Sequence, residues 1–389
     1  MENMLKRIDR SIAALLLLGF MTSLGNAVMN VVLQPYLKHL DLSPQDVGSL
    51  QLVMSASTAL ALVPSAYLAD MHGRKRVALA SLAFSAPGFL LVVLGDGAGP
   101  LYVGFALLGL GNALASVSLN PLLADVTPPE MLDSVASLSQ ILGLAGGSIG
   151  MALSWLPQLA ASSLGGLVNA YRLFMLAGGV VSMASFPLLL AVRSRDVKGG
   201  KSFKLAFTRN TVLLSAVNAV TALGAGASVW MINYYFMLKF GVEAGELGSR
   251  MLAETLLMIP ATSLAPVVSS RMGTLHAIVL MQAASIPLLL LTAWAPSFLA
   301  SATAFTARSV LMNACNPLFW SLSMRLVGEE ERSRYTMLST LAWQLAGGFG
   351  SAIGGLLMGV NPDYPLYFTA IIYTAGVLLL YGLFKGKEG

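Results

Sequence analysis

The stretch LADMHGRKR, from Leu68 to Arg76, places one acid and three Lys or Arg side chains between two long apolar runs. Charge is scarce elsewhere: 11% of the 389 residues are charged and 56% are hydrophobic. A soluble domain carries about 25% charged residues. The chain lacks the charge to cover a water-facing surface, so this cluster predicts a turn between two membrane-spanning segments.

Similar apolar runs continue along the whole chain. About 20 helical residues cross the ~30 Å of hydrocarbon in a bilayer, and runs of this length without alternation predict helices. Twelve runs meet this description: Ile12–Leu37, Val47–Leu68, Val77–Leu94, Leu101–Leu123, Val135–Leu156, Tyr171–Val192, Val212–Leu238, Leu247–Val268, Ala277–Trp294, Phe298–Leu322, Met337–Val360 and Leu366–Phe384. The sequence therefore predicts an all-α polytopic membrane protein with twelve transmembrane helices. The first run follows MENMLKRIDR without a small-residue cleavage site, so we expect a retained span.

The Lys and Arg side chains divide unevenly between the two sides of this topology. Eighteen of the 23 lie on the side of the termini, four lie on the other side, and one is inside a span. Because cytoplasmic loops are enriched in Lys and Arg, we expect both termini in the cytoplasm, most simply at the cell membrane. The net charge of +5 is then a topology signal, and with no soluble basic domain we expect no nucleic-acid partner.

The longest connection between runs divides the chain into two halves. It is RSRDVKGGKSFKLAFTRN, from Arg193 to Asn210. We assign residues 1–195 to an N-terminal six-helix bundle, 196–210 to a cytoplasmic linker and 211–389 to a C-terminal six-helix bundle.

The two halves also repeat in sequence. Matches at offsets of 196 to 201 residues run in chain order: Gly48-Ser49 with Gly248-Ser249, Gly73 with Gly273, Pro87 with Pro287, Asn120-Pro121 with Asn316-Pro317, and Ala145-Gly146-Gly147 with Ala346-Gly347-Gly348. Six spans in each half give a parallel repeat. This architecture is typical of secondary transporters, whose substrate site lies near the midplane at the repeat interface.

The stretch AYLADMHGRKRVAL, from Ala66 to Leu79, resembles the signature loop between the second and third helices of the major facilitator superfamily. That signature reads Gly-x-Leu-Ala-Asp-Arg-x-Gly-Arg-Lys-x-x-Leu. Six positions match in register: Leu68, Ala69, Asp70, Gly73, Arg74 and Lys75. The final leucine of the signature falls on Ala78, and Leu79 follows one residue later. Ala66 and Met71 depart from it, and in the second half Ser270 replaces the acid. The resemblance implies two pseudo-symmetric six-helix bundles and solute transport by alternating access.

The resemblance also implies a conformational latch at this loop. Asp70 would face the start of the eleventh helix, and Arg74 would pair with Asp125 at the end of the fourth. Gly73 would provide the tight turn. The alternative is a plain turn with solvated charges that fix orientation.

The same family resemblance places the first helix of each three-helix unit along the central cavity. Polar side chains on these helices are the candidate substrate contacts: Asn26, Asn30, Gln34, Asn112, Asn233, Tyr234, Asn313 and Asn316. Each could instead form a hydrogen bond between helices. Taken as a set, they indicate a wetted cavity with neutral donors and acceptors.

Two ionisable side chains lie deep within the spans. Arg308 comes twelve residues after Pro296, about 18 Å into its helix, and Glu254 comes eight residues after Glu246, about 12 Å in. An embedded charge costs at least ~2.5 kcal/mol and is by default a functional hypothesis. Glu254 could pair with Arg308 or with Arg250, one turn earlier on its own helix.

The remaining features narrow the class of protein. The three histidines have no metal-ligand spacing and no nucleotide-binding loop is present, so we expect no enzyme, no cofactor and no metal. The sequence predicts a monomeric secondary transporter that moves a small solute. Arg308 favours an organic anion as the solute, and Glu254 favours proton coupling. The alternatives are a multidrug or metabolite efflux transporter and a non-transporting receptor or scaffold.

Overall fold

The computed structural model describes residues 9–95, 97–193 and 207–386. Within these residues every regular element is helical. The helices are α1 Arg10–His39, α2 Pro44–His72, α3 Arg74–Leu94, α4 Ala98–Val126, α5 Pro129–Ala160, α6 Leu167–Ala191, α7 Arg209–Phe240, α8 Ala244–Met272, α9 Thr274–Trp294, α10 in two segments Phe298–Ala314 and Asn316–Leu326, α11 Arg332–Val360 and α12 Tyr364–Phe384. The predicted all-helical polytopic fold is confirmed.

Eleven of these helices, among the described residues, are long and apolar enough to cross a membrane. The exception is α10, which is interrupted at Cys315, just before Asn316-Pro317. Proline removes a backbone donor and its ring crowds the preceding turn. The matching Asn120-Pro121 leaves α4 continuous, so the proline alone does not decide the break.

The surface agrees with a membrane setting. Large apolar side chains stand exposed on many helices, including Leu60, Leu159 and Leu299, each about three-quarters exposed. Exposed apolar patches of this kind are unfavourable in water and are stable against lipid tails. The helices therefore present apolar faces outward as well as inward.

The chain separates into two compact units. One contains the described residues up to Leu40 and from Ala56 to the linker, and the other contains Asp41–Ser55 and the described residues beyond the linker. The sequence-based boundary differs in one place, because the first part of α2 groups with the second unit. There Gly48 lies against the backbone of Ser351 in α11.

Each unit is held together by close helix crossings at glycine. In the first unit, α1 and α6 approach through Gly25 and Gly178, and in the second, α7 and α11 approach through Gly226 and Gly347. A Cβ atom at Gly226 would collide with the Gly347 carbonyl oxygen. Small residues let membrane helices come this close, since packing replaces the hydrophobic effect in lipid.

The internal repeat is visible in the backbone as well. Gly73 and Gly273 join α2 to α3 and α8 to α9 with φ of 87° and 86°. Only glycine adopts this conformation without strain. A second repeated contact fastens the other end of each unit: Tyr36 donates to the Val93 carbonyl at 3.0 Å, and Tyr235 donates to the Thr292 carbonyl at 3.2 Å.

Candidate functional site

The embedded Arg308 side chain of α10 is 2% exposed and lies in the second unit. Its Nη2 donates to the Tyr373 hydroxyl at 2.6 Å, and its guanidinium lies over the rings of Phe305 and Tyr373. Its Nε is buried without a hydrogen-bond partner. No carboxylate lies within ion-pair distance of Arg308 in the described part of the chain.

The other embedded acid is already paired. Glu254 accepts from Arg250 Nη1 at 2.6 Å, one turn along α8, so the structure pairs it with Arg250 and not with Arg308. The Arg250 side chain is 5% exposed and that of Glu254 20% exposed. Arg250 also donates to Asn233 Oδ1 at 3.3 Å. Asn233 therefore helps to orient a buried cation.

Phe305 lies close to both embedded guanidinium groups. Its ring centroid is 5.2 Å from the Cζ atom of Arg250 and 5.7 Å from that of Arg308. The negative face of an aromatic ring attracts a cation, by about 0.5–2 kcal/mol. The cluster thus holds two cations and one carboxylate, which leaves the charge of Arg308 without an acidic partner.

A cavity of about 200 Å³ opens beside Arg308 within the second unit. It brings together side chains of α7, α9, α10, α11 and α12. Its polar and aromatic lining is Asn218, Thr221, Trp230, Gln282, Arg308, Asn313, Asn316, Phe319, Trp343 and Tyr373. Of the predicted substrate contacts, Arg308, Asn313 and Asn316 lie here.

Other predicted contacts of the second unit lie elsewhere. The Tyr234 hydroxyl donates to the Leu42 carbonyl at 2.5 Å, and Asn233 belongs to the Arg250 cluster. Both side chains are almost fully buried. Tyr234 therefore fastens the segment before α2 to α7.

Three of the four predicted amides of the first unit are exposed. Asn26 and Asn30 of α1 and Asn112 of α4 are exposed, while Gln34 is half-buried. Polar side chains at membrane depth are unfavourable against lipid, so we expect these exposed amides to contact water or another polar surface. A separate crevice of about 530 Å³ in this unit is lined by Asn120 and the neighbouring parts of α1, α4 and α5.

The α2–α3 turn contains one of the two contacts expected of a latch. Arg74 Nη1 lies 2.6 Å from both oxygens of Asp125 and 3.3 Å from the Pro121 carbonyl. Lys75 donates to the Val192 carbonyl at 2.8 Å beyond α6. Asp70 is exposed and has no hydrogen bond or ion pair within the described ranges.

Sequence reasoning missed several members of the cavity. Trp230, Gln282, Trp343 and Tyr373 lie on helices α7, α9, α11 and α12, and only α7 was expected to line a cavity. Trp343 could have been found, because it precedes the repeated Ala-Gly-Gly motif by three residues. Among the described residues, no three His, Cys, Asp or Glu side chains are grouped to hold a metal ion.

Comparisons with known proteins agree with this fold. The family model described as Major Facilitator Superfamily matches residues 15–351, and the chain belongs to this family. Multidrug resistance protein 1 of Bacillus subtilis (strain 168) is 21% identical over 373 residues, covering 92% of each chain.

Solved structures share the fold. A bacterial homologue of the human lysosomal transporter Spinster, in an inward-facing and occupied conformation, superposes with a TM-score of 0.77, at 17% identity and 95% coverage of each chain. A bacterial homologue of the iron transporter ferroportin gives 0.76, at 18% identity, over 96% of this chain and 98% of its own. At these identities the likeness defines the fold alone.

Proposed function

We propose that this protein is a secondary transporter that moves a small organic anion across the membrane by alternating access. Family membership supports transport, and one observation carries the choice of substrate charge. Arg308 is a buried cation without a carboxylate partner in the described residues, and it lines a cavity. A guanidinium in a low-dielectric site attracts a carboxylate or phosphate strongly.

Proton coupling through Glu254 is part of this proposal. Because Glu254 pairs with Arg250, its protonation would release Arg250 and leave Arg308 unchanged. Arg250 contacts the Phe305 ring that also contacts Arg308. A proton on Glu254 can thus alter the surroundings of the anion site through one shared ring.

We also propose a monomer in the cell membrane with both termini in the cytoplasm, since Lys and Arg concentrate on that side of the topology. No catalytic activity is proposed. The solute and the lipid bilayer are then the partners of the chain, with protons as the coupling ion.

Counterflow in proteoliposomes tests the substrate charge. Labelled organic anions should exchange, Arg308→Lys should weaken exchange, and Arg308→Gln should reduce apparent affinity at least about tenfold, since hydrogen bonds to a charged group contribute ~1.5–3 kcal/mol. Arg332→Gln is the matched control, because Arg332 is an exposed cation. Full exchange by Arg308→Gln would refute the anion site.

The second candidate function is drug efflux, which the multidrug name of the 21% identical relative favours. It predicts exchange of structurally diverse neutral or cationic compounds that does not depend on Arg308. A receptor or scaffold, in contrast, would show no counterflow with any solute.

A further inference from the structure

We propose that the cavity of the second unit binds a compact aromatic monocarboxylate that carries a hydroxyl or amino group. This inference rests on the proposed function and names its substrate class. It follows from four properties of the cavity: its aromatic walls, its small volume and, as far as the described residues go, a cation with no acidic partner and an amide oxygen with no donor.

Aromatic side chains surround the cavity on several sides. Trp230, Phe319, Trp343 and Tyr373 all contribute to its lining. The indole of Trp230 lies against Gly347, where any Cβ would displace it. Trp343 comes four residues before Gly347 on α11, which is about one helical turn. Both indoles therefore lie near the crossing of α7 with α11.

The backbone of α7 explains how Trp230 reaches this place. A π-helical turn at Ala225–Val229 precedes it, and the Trp230 amide donates to the Ala225 carbonyl at 3.1 Å. The extra residue in a π-turn rotates the following side chain relative to an α-helix, and such turns recur at functional sites. The closely packed Gly226 lies within that turn.

Charge and size limit the ligand further. Arg308 brings one positive charge into the cavity, which matches a monoanion and would leave a dianion half-neutralised. The volume of the cavity is about 200 Å³. Pockets for drug-sized ligands are larger, at about 300–1,000 Å³, so a single ring with a carboxylate is the better fit.

Asn218 supplies the place for a ligand donor. Its Nδ2 donates to the Ser339 carbonyl at 3.3 Å and to the Ser339 hydroxyl at 2.8 Å. Because a carbonyl oxygen only accepts, the amide nitrogen must face Ser339. The Asn218 Oδ1 atom then remains an acceptor with no donor in the described part of the chain, suited to a hydroxyl or amino group.

Calorimetric titration of the purified protein in detergent tests this with four probes: benzoate, para-hydroxybenzoate, cyclohexanecarboxylate and benzyl alcohol. We expect para-hydroxybenzoate to bind most tightly, and benzoate about three- to tenfold more tightly than cyclohexanecarboxylate, the range that aromatic contacts supply. Benzyl alcohol, which has the ring but no charge, should not bind measurably.

Variants of the wall provide the second measurement. Trp343→Leu should remove the preference for benzoate over cyclohexanecarboxylate, while Trp343→Phe, which keeps a ring, should retain most of it. Trp320→Leu is the control, because Trp320 lies 63% exposed on α10 and outside the cavity. It should leave all affinities unchanged.

The outcomes separate this inference from the proposed function. Equal binding of benzoate and cyclohexanecarboxylate, no binding of benzoate, or no effect of Trp343→Leu would overturn the aromatic substrate, even where other anions exchange in proteoliposomes. Absence of counterflow with every anion would overturn the proposed function itself. Benzoate binding that survives Arg308→Gln would show that the carboxylate is not held by Arg308 and would also overturn the inference.

Discussion

Arg325 Nη2 donates to the hydroxyl of Thr274 at 2.8 Å. At an offset of 200 residues, Arg325 corresponds to Asp125 and Thr274 to Arg74, and Arg74 and Asp125 form an ion pair. In the first unit this contact joins the end of α4 to the start of α3. In the second unit it joins the end of α10 to the start of α9. The contact is ionic in the first unit and a single charge-assisted hydrogen bond in the second, with the cation on the opposite partner. The repeat thus keeps the contact in space, while the second unit has its cation on the other partner and a neutral hydroxyl as the acceptor.

Thr274→Asp should convert the second contact into an ion pair. The new carboxylate would face Arg325 and would also lie in the first turn of α9, where an acid is favoured by the helix dipole. We expect a gain of up to about 1 kcal/mol, since the pair is partly exposed. Thermal unfolding in detergent measures it, with Thr274→Val, which loses the acceptor, as the opposing variant. A lower melting temperature for Thr274→Asp than for Thr274→Val would contradict this prediction.

Asp70→Asn should slow transport without preventing membrane insertion, if Asp70 acts as a latch. Asp70 is exposed on the turn that also contains the Arg74–Asp125 pair. Asp70 is exposed and has no ion pair or hydrogen bond within the described ranges, so the effect should appear in the counterflow rate and not in the melting temperature. A charge exchange, Arg74→Asp with Asp125→Arg, is the control for the pair itself. An unchanged rate for Asp70→Asn would leave only the role of the turn in orientation.

Glu254→Gln should abolish accumulation driven by a pH gradient and preserve exchange of substrate down its own gradient. The amide keeps an acceptor near Arg250 but removes the negative charge, which imitates the protonated acid. Uptake with and without an imposed pH gradient distinguishes the two activities. Glu246→Gln is the control, an acid in the first turn of the same helix. Accumulation by Glu254→Gln equal to wild type would show that the Arg250–Glu254 pair is structural.

Glu331 should make the stability of the second unit dependent on pH. This residue lies before α11, outside the spans, and accepts from the Thr208 backbone N–H at 2.5 Å. Burial alone would raise the pKa of Glu331, but hydrogen bonds from Thr208 and Thr211 and the charge of Arg334 lower it below its ordinary value. A lowered folded-state pKa stabilises the protein above the unfolded value of about 4.3, and this stabilisation is lost as pH falls through the lowered pKa.

Glu331→Gln should therefore lower the melting temperature at neutral pH, and its difference from wild type should shrink as the pH falls below about 4. The exposed neighbour Glu330 provides the matched control, Glu330→Gln, with no such pH dependence. Melting curves across this range give the measurement. A constant difference between Glu331→Gln and wild type at every pH would assign the effect to packing instead of charge.

Much of the fold could be predicted from the sequence because it depends on local properties. The length and hydropathy of each run predict membrane helices regardless of what they contact. The turn at Gly73 follows from the freedom of glycine at positive φ, and its repetition at Gly273 reveals the two related halves. The Arg74–Asp125 contact was likewise expected from the signature loop and its place in the family.

Only the tertiary structure decided how each helix is rotated about its axis. In a bilayer both the lipid-facing and the buried face of a helix are apolar, so hydropathy gives little information on rotation, and close packing at small residues fixes it. That rotation turns Asn233 towards Arg250 and leaves Arg308 beside a cavity. The Arg250–Glu254 pair joins residues four apart on one helix, so it depends on local spacing and not on rotation. The π-turn before Trp230 contains Gly226, which lies against Gly347 at the crossing of α7 with α11. The sequence by itself thus determined a membrane protein of two related six-helix halves with embedded charges, and the packing of its helices decided which of those charges has no acidic partner among the described residues.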